Sequence, residues 1–437
     1  MSVVTKPDFK ELEEGRKYLM SGSVGHALPL LLVSGKGAVV KDVNGKEYID
    51  CTSQAWTYNV GFSHPKVIEA AIEQIKQLSH CRTSFETIPK LRLLKKLGEL
   101  APGRLKKISF CLHGSVASEG ALKLAMINKP DAQKFLTVYD NYSGRTLATI
   151  AASWPYHPIS RRFSPFMQNF IRVPNAYCYR CPFKLEYPEC DLLCAEFIKT
   201  ALEKGAEPVA ALIMEPFQAS GGMIEFPEGY LKRVREICDE CGILLIYDEI
   251  QTAFGRLGEM FAAELYGALP DILVFGKAIA GGFPLAGVML REDLKPYDPA
   301  VHSFTFSHFP VSLAAACATL DVLKEENLLE RARKTGDYII KRLLEMKEKY
   351  ELIGDVRGRG LMIGIELVRN KKTKEPACEE TLRFEKAALK RGVIFGVSKF
   401  LGMGNVVKIK PPLVINEEEV EKVLQVFEDL TKSLTPR

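Results

Sequence analysis

The stretch DILVFGKAIAGGFPLAG, from Asp271 to Gly287, places one lysine directly behind an apolar run. Residues 272–275 predict a buried strand, and Lys277 follows them after a single glycine. Burying an ammonium group is costly unless the charge is paired, neutralised or used. The stretch therefore indicates that Lys277 lies in an interior site where its amine has a chemical role.

The segments around this lysine alternate between apolar runs and helical patterns. The predicted elements, in chain order, are strand 106–112, helix 118–128, strand 209–216, helix 227–242, strand 243–250 and strand 271–277. In the second helix, Leu231, Val234 and Ile237 fall on one face. Continuous apolar strands separated by helices are typical of a mostly parallel sheet that is covered on both faces.

The C-terminal third has a different pattern, which predicts a smaller α+β unit. Residues 328–350 and 416–434 form amphipathic helical patterns, with Asn416 as the N-cap of the second, and residues 352–368 indicate a pair of strands around a Gly-rich turn. The segment DVNGKEY (42–48) predicts a β-hairpin near the N-terminus, which we expect to join this unit. The expected organisation is therefore an N-terminal part of the small domain (1–60), a large domain (61–310) and the C-terminal small domain (311–437).

The composition is that of an ordinary globular enzyme. The 437 residues are 47% hydrophobic and 26% charged, and the net charge is +5. The charge is spread without a basic run, so we expect neither nucleic acid nor a membrane as partner. The N-terminus is charged and lacks the apolar core of a secretory signal, which predicts a cytoplasmic location.

Four of the eleven cysteines form a group of two close pairs. They are Cys178, Cys181, Cys190 and Cys194. Two such pairs can bind a metal ion tetrahedrally through thiolates, can form disulfides, or can remain reduced thiols. The spacing leaves all three states open, and we expect no metal at the site of the chemistry.

Polar residues follow several of the predicted strands at the point where each strand ends. Gly114 and Ser115 open a helix, where free amides bind anions, although many such turns are simply helix caps. Glu215, Asp248 and Lys277 each follow an apolar run, and the last two could also be a buried ion pair. A phosphate cradle, an acid and a desolvated lysine that can form a Schiff base are together what pyridoxal phosphate requires.

The chain resembles the class III pyridoxal-phosphate-dependent aminotransferases, which have fold type I. The resemblance runs from GAVVKDVNGKEYID to KPPLVI and is most specific in LLIYDEIQTAFGRLGEMFAAELYGALPDILVFGKAIAGGFPLAG (Leu244–Gly287). It implies a large domain with a mostly parallel sheet of seven strands, and a smaller α+β domain built from both termini. It also implies pyridoxal 5'-phosphate as the cofactor.

The same resemblance assigns roles to individual residues. Lys277 is the Schiff-base lysine and Asp248 the partner of the pyridine nitrogen, and both are catalytic. The further cofactor-binding residues that it implies are Gly114, Ser115, Val116, Tyr142, Glu215, Gln251 and Thr305. Thr305 matches a threonine that reaches the phosphate of the neighbouring subunit, so we expect a homodimer with shared active sites, or a tetramer built from such dimers.

Four positions bear on the substrate. Trp56 and Tyr58 fall where family members line the substrate pocket, although core packing explains two aromatic residues equally well. Many members pair a glutamate with an arginine that holds the substrate carboxylate. This chain has Ser220 at the first position and Lys408 at the second, with two residues between it and Pro-Pro-Leu. Lysine keeps the charge but lacks the bidentate fork of arginine.

The function that the resemblance implies is an omega-aminotransferase-like enzyme. It would move an amino group from an amino acid or amine to a 2-oxo acid or aldehyde by a ping-pong mechanism. Amino-acid racemases or epimerases and amino-phosphate lyases share the scaffold and remain alternatives. A binding protein without cofactor is a further alternative, but Lys277, Asp248, Ser115 and Thr305 together argue against it.

Overall fold

The structure is a computed structural model. It describes residues 11, 14–15, 17–18, 20, 30–153, 168–205, 208–398 and 404–434. Two β-sheets organise these residues, one with seven strands and one with eight. The prediction of a large mostly parallel sheet joined to a smaller α+β unit is confirmed.

The larger unit is built on the seven-stranded sheet. Its strands are β4 (Lys107–Cys111), β5 (Lys134–Val138), β6 (Phe170–Val173), β7 (Val209–Met214), β8 (Leu244–Asp248), β9 (Ile272–Phe275) and β10 (Ala286–Leu290). They lie in the order β4-β10-β9-β8-β7-β5-β6. Strands β6, β5, β7, β8 and β9 are mutually parallel, and β10 runs antiparallel to both β9 and β4.

Helices cover this sheet on both faces, which is why β7, β8 and β9 are buried along their whole length. The helices are α1 (Pro65–Gln77), α2 (Ile88–Leu100), α3 (Gly114–Asn128), α4 (Leu147–Ala152), α5 (Leu193–Lys204), α6 (Tyr230–Glu240) and α7 (Pro310–Glu325). Shorter helical turns lie at Ser53–Trp56, Cys178–Arg180, Ala219–Gly222, Ala262–Leu265 and Lys277–Ala280. As expected, Leu231, Val234 and Ile237 of α6 form its buried face.

The smaller unit is built on the eight-stranded sheet, which draws on both ends of the chain. Its strands are β1 (Leu32–Lys36), β2 (Val39–Asp42), β3 (Glu47–Cys51), β11 (Ile353–Arg359), β12 (Met362–Asn370), β13 (Glu375–Pro376), β14 (Val393–Val397) and β15 (Val406–Ile409). Helices α8 (Leu328–Lys349), α9 (Cys378–Lys390) and α10 (Glu417–Leu434) accompany them. The N-terminal hairpin joins the C-terminal strands where β3 pairs in parallel with β14.

Two local predictions in this unit are confirmed by the hydrogen bonds. Residues 42–48 turn between β2 and β3, which pair antiparallel. The Oδ1 atom of Asn416 accepts a hydrogen bond from the Glu419 amide at 2.9 Å. In turn, the Oε2 atom of Glu419 accepts a hydrogen bond from the Asn416 amide. This reciprocal cap defines the start of α10.

Helix α7 begins at the expected boundary of the large domain but packs back onto that domain. Its side contacts α1 and α2, and the thiol of Cys317 lies 3.7 Å from the Pro89 carbonyl. By its contacts α7 therefore belongs with the seven-stranded sheet. No helix in the described ranges is both long enough and apolar enough to cross a membrane.

Candidate active site

The carboxyl ends of the parallel strands open into a cavity of about 350 Å³. Its walls are Thr57, Leu112, His113, Gly114, Ser115, Tyr142, Ser143, Gly144, Asp248, Ile250, Gln251, Lys277, Gly282, Phe283, Pro284 and Leu285. Apart from Thr57, which follows the Ser53–Trp56 turn, these residues lie at the ends of β4, β5, β8 and β9 or in the loops after them, so strands far apart in sequence converge on one edge. This edge is where ligands bind in open parallel sheets.

One wall of the cavity is the N-terminus of α3. The His113 carbonyl accepts from the amides of Val116 and Ala117 at 3.1 and 3.2 Å, whereas the amides of Gly114 and Ser115 precede any intrahelical acceptor. A Cβ atom on Gly114 would lie 2.6 Å from Cδ1 of Ile250, so a larger residue would require the Ile250 side chain to shift. Two amides and the positive end of a 15-residue helix suit a phosphate group.

The loop after β5 closes against this cradle. The Ser115 hydroxyl accepts from the Arg145 amide at 3.1 Å. Gly144 has a φ of +141° and lies so close that a Cβ atom there would be 2.4 Å from the Ser115 hydroxyl oxygen. Tyr142, in the same loop, presents its ring to the cavity.

Asp248 is the last residue of β8 and lies at the base of the cavity. Its Oδ1 atom accepts from the Ile250 amide at 3.1 Å, and its Oδ2 atom accepts from the Ser118 hydroxyl at 3.3 Å. Burial raises the pKa of the Asp248 carboxyl to about 6, although these two donors and the charge of Lys277 act in the opposite direction. The Asp248 carboxylate is thus held in one orientation, in which it can accept a hydrogen bond from a protonated group of a ligand.

Lys277 follows β9 after Gly276 and has a φ of +48°, which is unusual for a residue with a side chain. Burial lowers the pKa of its ammonium group to about 8, against the charges of Asp248 and Glu215. A substantial neutral fraction therefore exists near pH 8, and a neutral amine is a nucleophile and a base. The nitrogen lies 5.0 Å from the centroid of the Trp56 ring.

Glu215 supports the cavity from behind and does not line it. Its Oε1 atom accepts from the Tyr142 amide at 3.0 Å, and its Oε2 atom accepts from the Ala219 amide at 3.2 Å. Burial and the nearby charge of Asp248 raise the pKa of the Glu215 carboxyl to about 8. The structure thus gives Glu215 a positioning role for Tyr142, next to the cavity.

Gln251, Ser220 and Lys408 form a connected group. The Nε2 atom of Gln251 donates to the Ser220 hydroxyl at 2.8 Å, and the Lys408 ammonium donates to the carbonyls of Ala219 and Ser220 at 2.9 and 3.1 Å. The Oε1 atom of Gln251 is buried and has no hydrogen-bond partner within the described part of the chain. An unsatisfied acceptor in a cavity wall indicates that a donor on a ligand belongs there.

Seven expected site residues are not among those that line the cavity: Trp56, Tyr58, Val116, Glu215, Ser220, Thr305 and Lys408. Thr305 is exposed, as a residue that serves a neighbouring subunit would be. The Val116 amide already donates to His113, and Tyr58 packs on the Phe62 ring with centroids 4.4 Å apart. Within one protomer these seven residues make no wall of the site.

Two residues that the sequence reasoning missed contact the site. Ser118 lies one helical turn after Gly114, so the spacing of α3 could have pointed to it. Lys410 is buried beside Trp56. Its signal was the alternation Lys408-Ile409-Lys410, because alternate residues of a strand share a face.

The four grouped cysteines are free thiols in the structure. Burial raises the pKa of the Cys178 and Cys194 thiols, the second to about 12. In the ranges that the structure describes, no group of three or more His, Cys, Asp or Glu residues could hold a metal ion. Of the three states that the spacing left open, the structure therefore shows the thiols.

Comparison with known proteins gives concordant matches over almost the whole chain. A family profile described as aminotransferase class-III matches residues 20–431. A leucine/methionine racemase from Thermococcus litoralis is 40% identical over 92% of this chain and 90% of its own length. An acetylornithine aminotransferase from Methanothermobacter thermautotrophicus is 35% identical over 95% of this chain and 97% of its own. The crystal structure of an omega transaminase from Pseudomonas jessenii in complex with PMP superposes with a TM-score of 0.88 at 28% identity, covering 97% of each chain.

Proposed function

The chain belongs to the class III aminotransferases, and from this premise we propose that it moves the amino group of an amino acid or amine to a 2-oxo acid or aldehyde. The observation that carries the proposal is the joint position of Lys277, Asp248 and the α3 N-terminus around one cavity. Members of the family depend on pyridoxal phosphate. A lysine of lowered pKa, a buried carboxylate and an anion cradle are the groups that this cofactor needs.

The cavity residues fit pyridoxal phosphate on observations independent of the family match. The amides of Gly114 and Ser115 would hold the phosphate, since a side chain at Gly114 would collide with Ile250. The Asp248 carboxylate would hold the pyridine nitrogen, and the unpartnered Oε1 atom of Gln251 could accept from the ring hydroxyl. Tyr142 would cover the ring, and the Lys277 amine would hold the aldehyde carbon.

Bound pyridoxal phosphate supplies the electron sink that makes the proton beside the substrate amine removable. The Nζ atom of Lys277 takes up this proton and returns it, because its lowered pKa leaves a neutral fraction near pH 8. The Asp248 carboxylate would keep a proton on the ring nitrogen of the bound cofactor, and the hydrogen bonds from Ser118 and Ile250 hold the carboxylate in place.

Racemisation of an amino acid is the second candidate. The 40% identity to a leucine/methionine racemase favours it, and both reactions begin with removal of the same proton. A racemase must also return the proton to the opposite face of the substrate carbon. Among the described residues that line the cavity, Lys277 is the one lysine, and Lys410 lies outside this lining, which supports transamination as the first candidate.

The experiment that separates the two candidates is a half-reaction without an acceptor. We expect holoenzyme mixed with one L-amino acid at a time to convert its cofactor to pyridoxamine phosphate and to release one 2-oxo acid per site. Absorbance spectra and chiral chromatography of the same samples measure this. Formation of the D-enantiomer with the cofactor unchanged would assign the enzyme to the racemases instead. The variant Lys277→Ala controls for non-enzymatic exchange.

We further propose that two copies associate through α1 and α2. Ile68, Ile72 and Ile75 recur at helical spacing on α1, and together with Ile88 and Leu91 of α2 they are more than a third exposed. Several large apolar side chains exposed on neighbouring segments of the chain are typical of association surfaces. Such a dimer would also allow the exposed Thr305 to serve the neighbouring site.

Changing Ile72 to aspartate is therefore expected to weaken self-association by roughly tenfold or more, since a buried isoleucine contributes about 1.5–3 kcal/mol. Light scattering of serial dilutions measures the shift toward monomer. Leu344→Asp on α8 is the matched control, because Leu344 is 42% exposed and Ile72 46%. An equal response of both variants, or of neither, would contradict this interface.

A further inference from the structure

Lys410 is a buried lysine close to Lys277. It follows β15, and only 4% of its surface is exposed. Its ammonium nitrogen lies over the Trp56 ring, 2.8 Å from the centroid, while the Lys277 nitrogen lies 5.0 Å from the same centroid. One indole therefore contacts both amines.

The surroundings of this ammonium group are positive. Lys408, Lys277 and Arg256 all disfavour its charge, and together with burial they hold the pKa of Lys410 well below its usual range. Asp50 is the nearby negative group, but its oxygens accept from Thr52 and Gln54 in its own turn. A buried cation without a counter-ion is costly.

Lys408 and Arg256 have hydrogen-bond acceptors, whereas the residues that the structure describes offer none to Lys410. Lys408 donates to two carbonyls, and Arg256 donates to the Pro411 carbonyl and to the Asn59 side chain. In the described part of the chain, the Lys410 ammonium has neither a hydrogen-bond acceptor nor a carboxylate within ion-pair distance. Its contact is a cation–π interaction with the Trp56 ring. A hydrogen-bond acceptor on a bound ligand would supply the partner that the Lys410 ammonium lacks.

The side chain of Lys410 is placed by a built environment. A Cβ atom on Gly396 would lie 3.1 Å from Lys410 Cε and 3.3 Å from Lys408 Cβ, so glycine leaves room for both lysines. The segment Ser53–Trp56 has four consecutive positive φ angles, from +43° to +68°. Left-handed backbone costs roughly 1–2 kcal/mol per residue, and such strain is concentrated at functional sites.

The hydrogen bonds of Asp50 hold this strained turn. They come from the amides of Thr52 and Gln54 at 2.7 and 3.0 Å, and from both side chains. The turn places the Trp56 indole against the amines of both Lys277 and Lys410. The chain thus maintains an unfavourable backbone conformation that keeps two amines against one ring.

We propose that Lys410 binds the α-carboxylate of a substrate amino acid whose amine reacts at Lys277. The inference rests on the proposed function only in that the substrate amine reaches Lys277, and it applies to transamination and racemisation alike. An α-amino acid carries its amine and carboxylate on one carbon, which suits two lysines that share one indole. The arriving carboxylate supplies the missing counter-ion and hydrogen-bond acceptor.

The test compares holoenzymes of the parent, Lys410→Met, Lys410→Arg and Lys408→Met. With L-leucine, Lys410→Met should raise KM by roughly tenfold or more, because a charge-assisted hydrogen bond is lost. With 3-methylbutylamine, the same molecule without the carboxylate, KM should stay within about twofold, and Lys410→Arg should restore most of the leucine affinity. Lys408→Met should affect leucine and the amine alike, since Lys408 supports the Ala219–Ser220 backbone.

Calorimetry with 4-methylpentanoate, the carboxylate without the amine, gives a readout that needs no turnover. The parent should bind it, and Lys410→Met should bind it at least about tenfold more weakly. Equal losses for leucine and 3-methylbutylamine in Lys410→Met, or unchanged 4-methylpentanoate binding, would overturn the assignment. If the parent turns over no amino acid, the proposed function fails while the calorimetric comparison still decides the role of Lys410. Thermal melts identify a variant that fails to fold, in which case Lys410→Gln replaces it.

Discussion

Replacing Lys277 by alanine is expected to abolish turnover, with kcat reduced by at least about a thousandfold, in a protein that remains folded. The structure gives this side chain no packing function that alanine would destroy, because it ends in the cavity and has a lowered pKa of about 8. Removing it deletes the amine that binds the cofactor aldehyde and the base that moves the substrate proton.

Steady-state kinetics, cofactor absorbance and circular dichroism together measure this outcome. Lys277→Arg keeps a charge but no accessible neutral amine, so it should be nearly as inactive as the alanine variant. Lys324→Ala, at an exposed lysine of α7, is the matched control and should retain parental activity. Activity of Lys277→Ala within tenfold of the parent would show that another amine performs the proton transfer.

Replacing Asp248 by asparagine is expected to leave the cofactor bound while kcat falls by about a hundredfold or more, the usual effect of losing one preorganised charge. An amide has the shape of the carboxylate but cannot hold a proton on the ring nitrogen. It also turns its NH₂ group toward Ser118 or the Ile250 amide, which are donors in the parent. The electron sink is then weakened without removal of the phosphate cradle.

Glu249→Gln provides a neighbouring control for this prediction. The Glu249 carboxylate is also buried, but it accepts from the amides of Ala262 and Ala263 at 2.7 and 2.9 Å and does not line the cavity. Its replacement should lower the melting temperature and change kcat by no more than a few-fold. Stopped-flow spectra of the half-reaction compare both variants. If Asp248→Asn reacts as fast as Glu249→Gln, a different group holds the ring nitrogen.

The sequence alone determined the architecture and pointed to Lys277 and Asp248 as the proposed catalytic pair. Strands that are buried on both faces, such as β8 and β9, are recognised in the sequence as continuous apolar runs. The polar residue that ends or follows each run, Asp248 or Lys277, is recognised in the same way. Parallel strands place their carboxyl ends on one edge, so the spacing predicted that these side chains meet. The hairpin at 42–48 and the Asn416 cap were likewise predictable because their hydrogen bonds are local.

Only the tertiary structure decided how the lysines of the C-terminal strand are used. Lys408 and Lys410 look equivalent in sequence. The Lys408 ammonium donates to carbonyls of the Ala219–Gly222 turn, whereas the Lys410 ammonium lies against an indole and near other cations. The left-handed run at Ser53–Trp56 has no clear local signal, and the spacing of α3 points to Ser118 without showing that its hydroxyl meets Asp248. The contacts of Ser118 and Lys408 join residues 130 and 189 positions apart, because the neutralisation of a buried charge is a property of all the elements that pack around it.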